Sequence, residues 1–407
     1  MTPSDSGCSE HPTSRRPFAV INPAKSHPEA IVAAVAARDP ERARQYAKRH
    51  GIPIVHDSYQ SLLEDPSIDA VYIALPNAYH YEWTLRCLKA GKHVLLEKPS
   101  CSNAEEARKL FTHPLVTGSN APVLLEAFHN QFHPAWQTFL SQVHQSPYGG
   151  TVKHASSSFH LPQGYLALDD IRFQYKMAGG CLMDLGTYPL SCVRQILGKG
   201  EKLHPVSAQY QPLPPAVSAS EPQIDTAISA AYETDNGKTA EIDGNLLTEG
   251  RWSFLPASWA KALPGFQWPV TRAILEDVLV DSQDDGAQHF VRRTVTLWNQ
   301  VMPVLYHRID VCDTHILRRS GENVKTWEEV KYIKAYNWPA DDEKSKTYQD
   351  WWTNYRCQLE EFINRIKGRN ESGVWIDGAE SIAQMEAIDR TYNKLGLKAR
   401  PTSAFEI

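Results

Sequence analysis

Apolar residues follow two rhythms along this chain, and the change from one to the other divides it. In the first third, unbroken apolar runs alternate with stretches whose apolar positions recur every three or four residues. The run IVAAVAA at 31–37 reads as a strand buried on both faces. Residues 40–50 (PERARQYAKRH) then read as a helix capped by Asp39 and stopped by Gly51. A short helix begins at 61–63, and DAVYIAL at 69–75 is a second buried strand. Residues 79–90 are helical, with Trp83, Leu85, Cys87 and Leu88 apolar and Gly91 just beyond. HVLL at 93–96 is a third strand and 123–127 a fourth; between them 104–111 is a helix, with Ser102 and Glu105 resembling a capping box. Strands alternating with helices in this way predict βαβ units and a parallel sheet.

From Val152 onward the runs shorten and mix with Ser, Thr and Lys, as at 226–232, 291–297 and 330–336. That pattern predicts a mostly antiparallel sheet. Residues 310–318 and the Pro-rich 205–222 read as turn and loop. The last strong signal is a helix at 381–395, with Ile382, Met385, Ile388 and Tyr392 on one face and Gly396 beyond it.

The length, 407 residues, suits two domains rather than one core. A net charge of -5 gives no electrostatic case for a nucleic-acid or membrane partner. The 7 cysteines are scattered without a C-x-x-C pair, so reduced thiols and a cytoplasmic location are expected, not a disulfide framework or a zinc site. Residues 1–17 read as a disordered arm without the apolar core of a secretory signal. The longest apolar run, 30–37, is too short to cross a bilayer. His129 and His133 have H-x-x-x-H spacing, but they precede Pro134 and read as loop residues; no metal is expected.

Three stretches can carry chemistry. In LEKPS (96–100), Lys98 leaves a buried strand at the carboxyl edge of the sheet, where open α/β folds bind ligands. Pro99 sets the local backbone; a surface loop lysine beside a turn proline is the plain alternative. In GGCLMDLGTY (179–188), Asp184 and Tyr188 stand four apart and would share a helical face. A carboxylate beside a phenol suits a polyhydroxy substrate, although a helix acid and a half-buried tyrosine explain the pattern as well. In LPNAYH (75–80), Pro76, Asn77 and His80 lie in a second strand-end loop, where Asn77 or His80 could meet a cofactor ribose or Asn77 could cap the next helix.

Together these stretches resemble the glucose–fructose oxidoreductase and inositol dehydrogenase family (Gfo/Idh/MocA). They are most similar to the branch holding fungal NADP-dependent D-xylose dehydrogenases and dimeric dihydrodiol dehydrogenases. Further anchors are PAKSHPE (23–29), AARDPERA (36–43), EAFH (126–129), TLWNQVMPVLYHRID (296–310), NRIKGR (364–369) and SIAQMEAID (381–389). The resemblance implies an α/β protein: a Rossmann-like parallel sheet over 18–128 and an α+β substrate and dimerisation domain over 129–407 with a large antiparallel sheet. Helix 381–395 would pack back on the first domain.

By position, the resemblance implies Lys98, Asp184 and Tyr188 as catalytic residues. Tyr188 would be the proton acceptor, and the nearby ammonium would lower its pKa toward working pH. Glu97, Lys98, Pro76, Asn77 and His80 would adjoin the cofactor. Arg38 would face the adenosine ribose, where arginine favours a 2′-phosphate and hence NADP. The implied reaction is oxidation of a sugar, polyol or cyclic diol hydroxyl by hydride transfer to NADP, in a homodimer.

One departure matters. The family opens with a strand and a G-x-G-x-x turn, and no such turn precedes the strand at 31–37. The segment 18–21 runs straight into PAKSHPE, matching the end of the family's first helix, or serves as a substitute strand. The first strand is thus lost or replaced, and with it the pyrophosphate cradle. A cofactor-independent isomerase, cyclase or binding protein is the alternative reading. An altered amino terminus, with the glycine turn encoded upstream, also fits the abrupt change at residue 18. After His129, Asn130 and Gln131 stand where the family carries an aromatic and a basic residue, which leaves the substrate open.

Overall fold

The computed structural model describes residues 17–407 apart from 219, 220, 222, 251–255, 257, 258, 260–262, 264, 283–285, 370 and 371. The expected disordered arm, save Pro17, lies outside the described residues.

Two parallel pieces make the amino-terminal sheet. β1 (Ala34–Ala36) pairs with β2 (Ile54–His56), and β3 (Ala70–Ile73), β4 (His93–Leu96) and β5 (Leu124–Glu126) pair in that order. Among the described residues no ladder joins β1 to β3. In a doubly wound sheet of order 3-2-1-4-5-6 that junction is the place of the first strand. The chain instead enters β1 from a helical turn, Pro17–Ile21, and a helix, Asn22–Lys25. The substitute-strand reading of 18–21 is therefore corrected: Pro23 opens a helix, and Ala19, Val20, Ile21 and Ala24 are buried, with the turn packed on helix Asn354–Ile366.

Other boundaries move for plain reasons. β1 is shorter than 31–37 because Ile31 is exposed. β2 lacks an apolar run and was not anticipated. Helix Pro40–His50 does carry the Asp39 cap, with Gly51 left-handed at its end. Helix Ala104–Phe111 is capped by Asn103, not Ser102, and the returning carboxylate is Glu106, which accepts from Ser102 N at 2.8 Å.

The second sheet has nine strands: β6 (Val152–Pro162), β7 (His204–Pro212), β8 (Asp225–Glu233), β9 (Thr239–Thr248), β10 (Val270–Leu275), β11 (Val278–Ser282), β12 (Gln288–Trp298), β13 (Arg308–Arg319) and β14 (Glu322–Ile333). Their order is β14-β13-β12-β10-β6-β9-β8-β7, with β11 beside β12; among the described residues the β6–β9 pair is parallel and the other pairs are antiparallel. Two expected loops are strands. Residues 310–318 belong to β13, whose inward positions include Asp313, bonded to Arg293 of β12 through two contacts of 2.7 Å. A buried ion pair in the ladder made a strand look like a turn. Residues 204–212 form the edge strand β7, with Pro205 and Pro212 near its ends, where prolines are tolerated.

Helices Pro134–His144 and Thr187–Leu197 cover one face of this sheet and bury Trp136, Phe139, Leu190 and Ile196. The opposite face carries a shallow cleft of about 370 Å³ edged by Ser156, Ser158, Ser229, Glu241, Asp243 and Arg272. Helix Gly378–Lys394 lies back along Ala104–Phe111, where Asp389 accepts from Ala104 N at 2.9 Å and Arg108 meets Glu386 at 2.7 Å. Among the described residues, no helix is long and apolar enough to cross a membrane.

Candidate active site

Two loops at the carboxyl ends of β3 and β4 form one wall. β4 stops at Leu96, and the next residues turn through a cis Lys98–Pro99 bond. His80 fastens the two loops together: Nδ1 lies 2.8 Å from Pro99 O and Nε2 2.9 Å from Leu75 O. Full burial lowers its pKa to about 4, so it is neutral and donates to one carbonyl at a time. Its expected contact with a ribose is thus corrected to a structural clamp. Ser100 N donates to Glu126 Oε1 of β5 at 2.8 Å. Glu97 accepts a short bond from Tyr72 OH, and burial pushes its carboxyl up.

The other wall is the 179–188 segment. Asp184 and Tyr188 do not share one helix, as their spacing suggested. Helix Cys181–Asp184 ends, the chain breaks at Leu185 and Gly186, and Thr187–Leu197 starts afresh. Gly180 makes the entry: its φ is 124°, and a Cβ there would sit 2.3 Å from both Arg400 Nη2 and Asp225 Oδ1. Asp225 Oδ2 accepts from Leu182 N at 2.7 Å and so holds the start of the helix that presents Asp184. Arg400, wholly buried, binds Gly179 O at 2.6 Å, Asp225 Oδ1 at 2.8 Å and Tyr392 OH at 2.9 Å. Its own backbone carbonyl accepts from Asn103 Nδ2 at 2.8 Å, and Ser403 N donates to Glu106 at 2.6 Å. The chain's last stretch therefore stitches both walls together.

The walls meet at Lys98. Its Nζ lies 2.5 Å from Asp184 O, 3.0 Å from Asp184 Oδ1 and 4.8 Å from the centroid of the Tyr188 ring. Asp184 Oδ2 accepts from Arg172 Nε at 2.8 Å, and Arg172 reaches Asp170 at 3.0 Å. Tyr188 is 5% exposed, with Phe128 and Phe159 edge-on at 6.0 Å. Its hydroxyl lies 2.8 Å from His129 Nε2. An ammonium at the ring face, a carboxylate shared between two cations and a phenol in an apolar lining can bind a hydroxylated ligand and move its proton.

The structure thus brings Lys98, Asp184 and Tyr188 together, with Glu97 next to Lys98. Asn77 caps no helix; its Nδ2 crosses to Ala178 O at 3.0 Å. Pro76 is buried beneath it, and Arg38 stands exposed past the end of β1. Sequence reasoning missed His129, Arg172 and Asn354. His129 has a signal, since it ends the EAFH motif, although its spacing before Pro134 reads as a loop. It is in fact buried in the turn His129–Phe132. Arg172 and Asn354 stand in stretches with no motif.

Two family profiles match the chain. "Oxidoreductase family, NAD-binding Rossmann fold" (GFO_IDH_MocA) covers residues 18–114, and "GFO/IDH/MocA C-terminal domain" covers residues 140–258. The chain is 36% identical over 229 residues to a D-xylose 1-dehydrogenase (NADP(+)) of Haloferax volcanii, covering 56% of this chain and 66% of that one. It is 29% identical over 246 residues to a trans-1,2-dihydrobenzene-1,2-diol dehydrogenase of Xenopus laevis, covering 60% of this chain and 70% of that one. A dTDP-sugar 3-reductase of Actinomadura kijaniata matches at 35% over 177 residues, 43% of this chain and 50% of that protein. The chain thus spans about half to two thirds of the curated relatives it matches. Among solved structures, a 3-ketoreductase from Actinomadura kijaniata, in complex with NADP and TDP-benzene, superposes with a TM-score of 0.65 at 21% identity, covering 92% of this chain and 93% of that one. That likeness is one of fold.

Proposed function

Because the chain belongs to the Gfo/Idh/MocA oxidoreductase family, we propose that it oxidises a hydroxyl of a sugar, polyol or cyclic diol and that NADP is its cofactor. One observation carries the reading. Lys98 and Tyr188, far apart in sequence and on opposite walls, come within 4.8 Å of each other, measured from ammonium to ring centroid. In this reading Tyr188 accepts the substrate's hydroxyl proton. The Lys98 ammonium favours its phenolate, and Asp184 orients Lys98 and holds a neighbouring hydroxyl. The relatives' names favour the same class: one is a D-xylose dehydrogenase and another a dihydrodiol dehydrogenase.

The residues that would hold the dinucleotide are Arg38 at the adenosine end, and Pro76, Asn77, Glu97 and Lys98 at the nicotinamide end. This donor set fits both ends of the cofactor, since all of it lies past the carboxyl ends of β1, β3 and β4. A bound nicotinamide would supply the hydride acceptor. The helix Asn22–Lys25 matches the end of the family's first helix, and no glycine turn stands before it among the described residues. That observation favours a second reading, acid–base chemistry without a dinucleotide.

Two further proposals follow the family: that the domains divide near residue 128, and that the protein is a cytoplasmic homodimer pairing through the open face of the nine-stranded sheet. The test of function is a titration with NADPH followed by nicotinamide fluorescence, with NADP reduction assayed on D-xylose and on a trans-dihydrodiol. Saturation with turnover on either substrate supports the dehydrogenase. No saturation at millimolar NADPH overturns it in favour of the second reading.

A further inference from the structure

We propose that His129 is a dedicated hydrogen-bond donor to the reacting oxygen of Tyr188, locked into that role by Asn354 and the Val301 carbonyl. The inference rests on the reading of Tyr188 as proton acceptor. Its argument is one of donors and acceptors. Val301 O can only accept, and Asn354 Nδ2 lies 2.8 Å from it. The amide must therefore face Val301 with its nitrogen, since the flipped amide would set two oxygens against each other. The same nitrogen has a second hydrogen, and that one meets His129 Nδ1. Nδ1 is then the bare nitrogen of the imidazole, and the ring proton is on Nε2. Nε2 lies 2.8 Å from the Tyr188 oxygen, so the N–H points at the phenol.

This arrangement has two consequences. A hydrogen bond given to the phenol oxygen stabilises the phenolate, the form that accepts a proton. And His129 is no relay: Nε2 has no lone pair to take the proton of Tyr188, and protonating Nδ1 would set a donor against the Asn354 donor. The proton taken by Tyr188 leaves toward the ligand side. The ring is fixed as well as oriented, with the Tyr355 ring 4.0 Å away and tilted 34° to it, and only 2% of the residue exposed.

The groups facing the Tyr188–His129 pair come from several elements. Lys98 lies at the ring face, from the loop after β4; Asp184 ends helix Cys181–Asp184, and Tyr355 belongs to helix Asn354–Ile366. Tyr72 of β3 interacts with both Tyr188 and Tyr355 and is itself held by Glu97. Of these only Lys98 is a cation. His129 is therefore the neutral half of a two-part device, the ammonium supplying charge and the imidazole a directed hydrogen.

The test is a tyrosinate absorbance titration of the full chain, taken as the difference between each protein and its Tyr188→Phe counterpart, so that one phenol is read and no substrate is needed. His129→Leu should move the Tyr188 midpoint up by about one pH unit, a tenfold change. His129→Gln, whose amide reaches the Nε2 position, should return most of that shift. Asn354→Asp takes away the donor that holds Nδ1 bare and so frees the other tautomer, and it should raise the midpoint as Leu does. If His129→Leu does not fold, the Gln and Asp variants still decide. In turnover of D-xylose with NADP, the acid limb of kcat/KM should move by the same unit while the plateau holds, whereas a packing defect would lower the plateau. An unmoved midpoint in His129→Leu and Asn354→Asp overturns the inference. A moved midpoint with no turnover in the parent protein overturns the dehydrogenase reading and leaves this one standing.

Discussion

Consider replacing Glu126 with glutamine. The carboxyl is 1% exposed at the end of β5; Oε1 accepts from Ser100 N at 2.8 Å, and the Ser381 hydroxyl lies near the carboxyl. Burial outweighs these partners and raises its pKa from 4.5 to about 7. The native fold therefore holds a proton that the unfolded chain releases above pH 4.5. The stability this gives is complete below pH 4.5 and is lost as pH rises through 7. A shift of roughly 2.5 units at 1.36 kcal/mol each is about 3 kcal/mol. Glutamine keeps the shape and the acceptor for Ser100 N but cannot ionise. Urea unfolding followed by tryptophan fluorescence should find Glu126→Gln equal to the parent at pH 4.5 and more stable by about 3 kcal/mol at pH 8. A parent-minus-variant difference that is flat between those pH values would refute the reasoning.

Lys98→Met should lower kcat about a hundredfold or more on D-xylose with NADP while leaving the overall fold intact by circular dichroism. Arg400→Met strands the Asp225 carboxylate in the interior and should cost about 3–5 kcal/mol in urea unfolding, part of which Asp225→Asn in the same chain recovers. Gly180→Ala combines a φ of 124° with a Cβ driven into Arg400 and Asp225; thermal melting should show a loss of at least about 2 kcal/mol. On the proposed reading of Arg38 as the 2′-phosphate partner, Arg38→Ser should reduce the NADP-over-NAD preference in kcat/KM about tenfold or more.

Much of the architecture was legible because buried parallel strands read as apolar runs. HVLL at 93–96 matches β4 residue for residue, and Asp39 and Gly51 bracket their helix as local chemistry requires. Legibility failed where tertiary partners override local preference. β13 looked like a loop because Asp313 is hidden by Arg293, a residue on another strand. The helix expected to carry both Asp184 and Tyr188 is interrupted at Leu185 and Gly186, where a Cβ on Gly186 would come within 3.0 Å of Leu182 Cα and 3.1 Å of Ile228 Cγ2. Lys98 and Tyr188 could be named from motifs. No role for His129 is legible, since its partner Asn354, and the Val301 carbonyl that fixes Asn354, lie far along the chain. Hydrogen-bond direction is a property of three-dimensional neighbours, and no spacing encodes it.

The stitch made by residues 399–403 limits how the molecule can breathe. Asn103 and Glu106 grip it from the first half, while Tyr175 OH, Asp225 and Tyr392 grip it from the second. Any rotation that widens the gap around Lys98 must either tear these buried bonds or use this corner as its pivot. The pivot is far the cheaper course, because it leaves the buried bonds of Arg400 unbroken. The loops after β3 and β4 share that corner, since Asn77 reaches Ala178 O and Asn103 reaches Arg400 O, so both turn with it as one hinge.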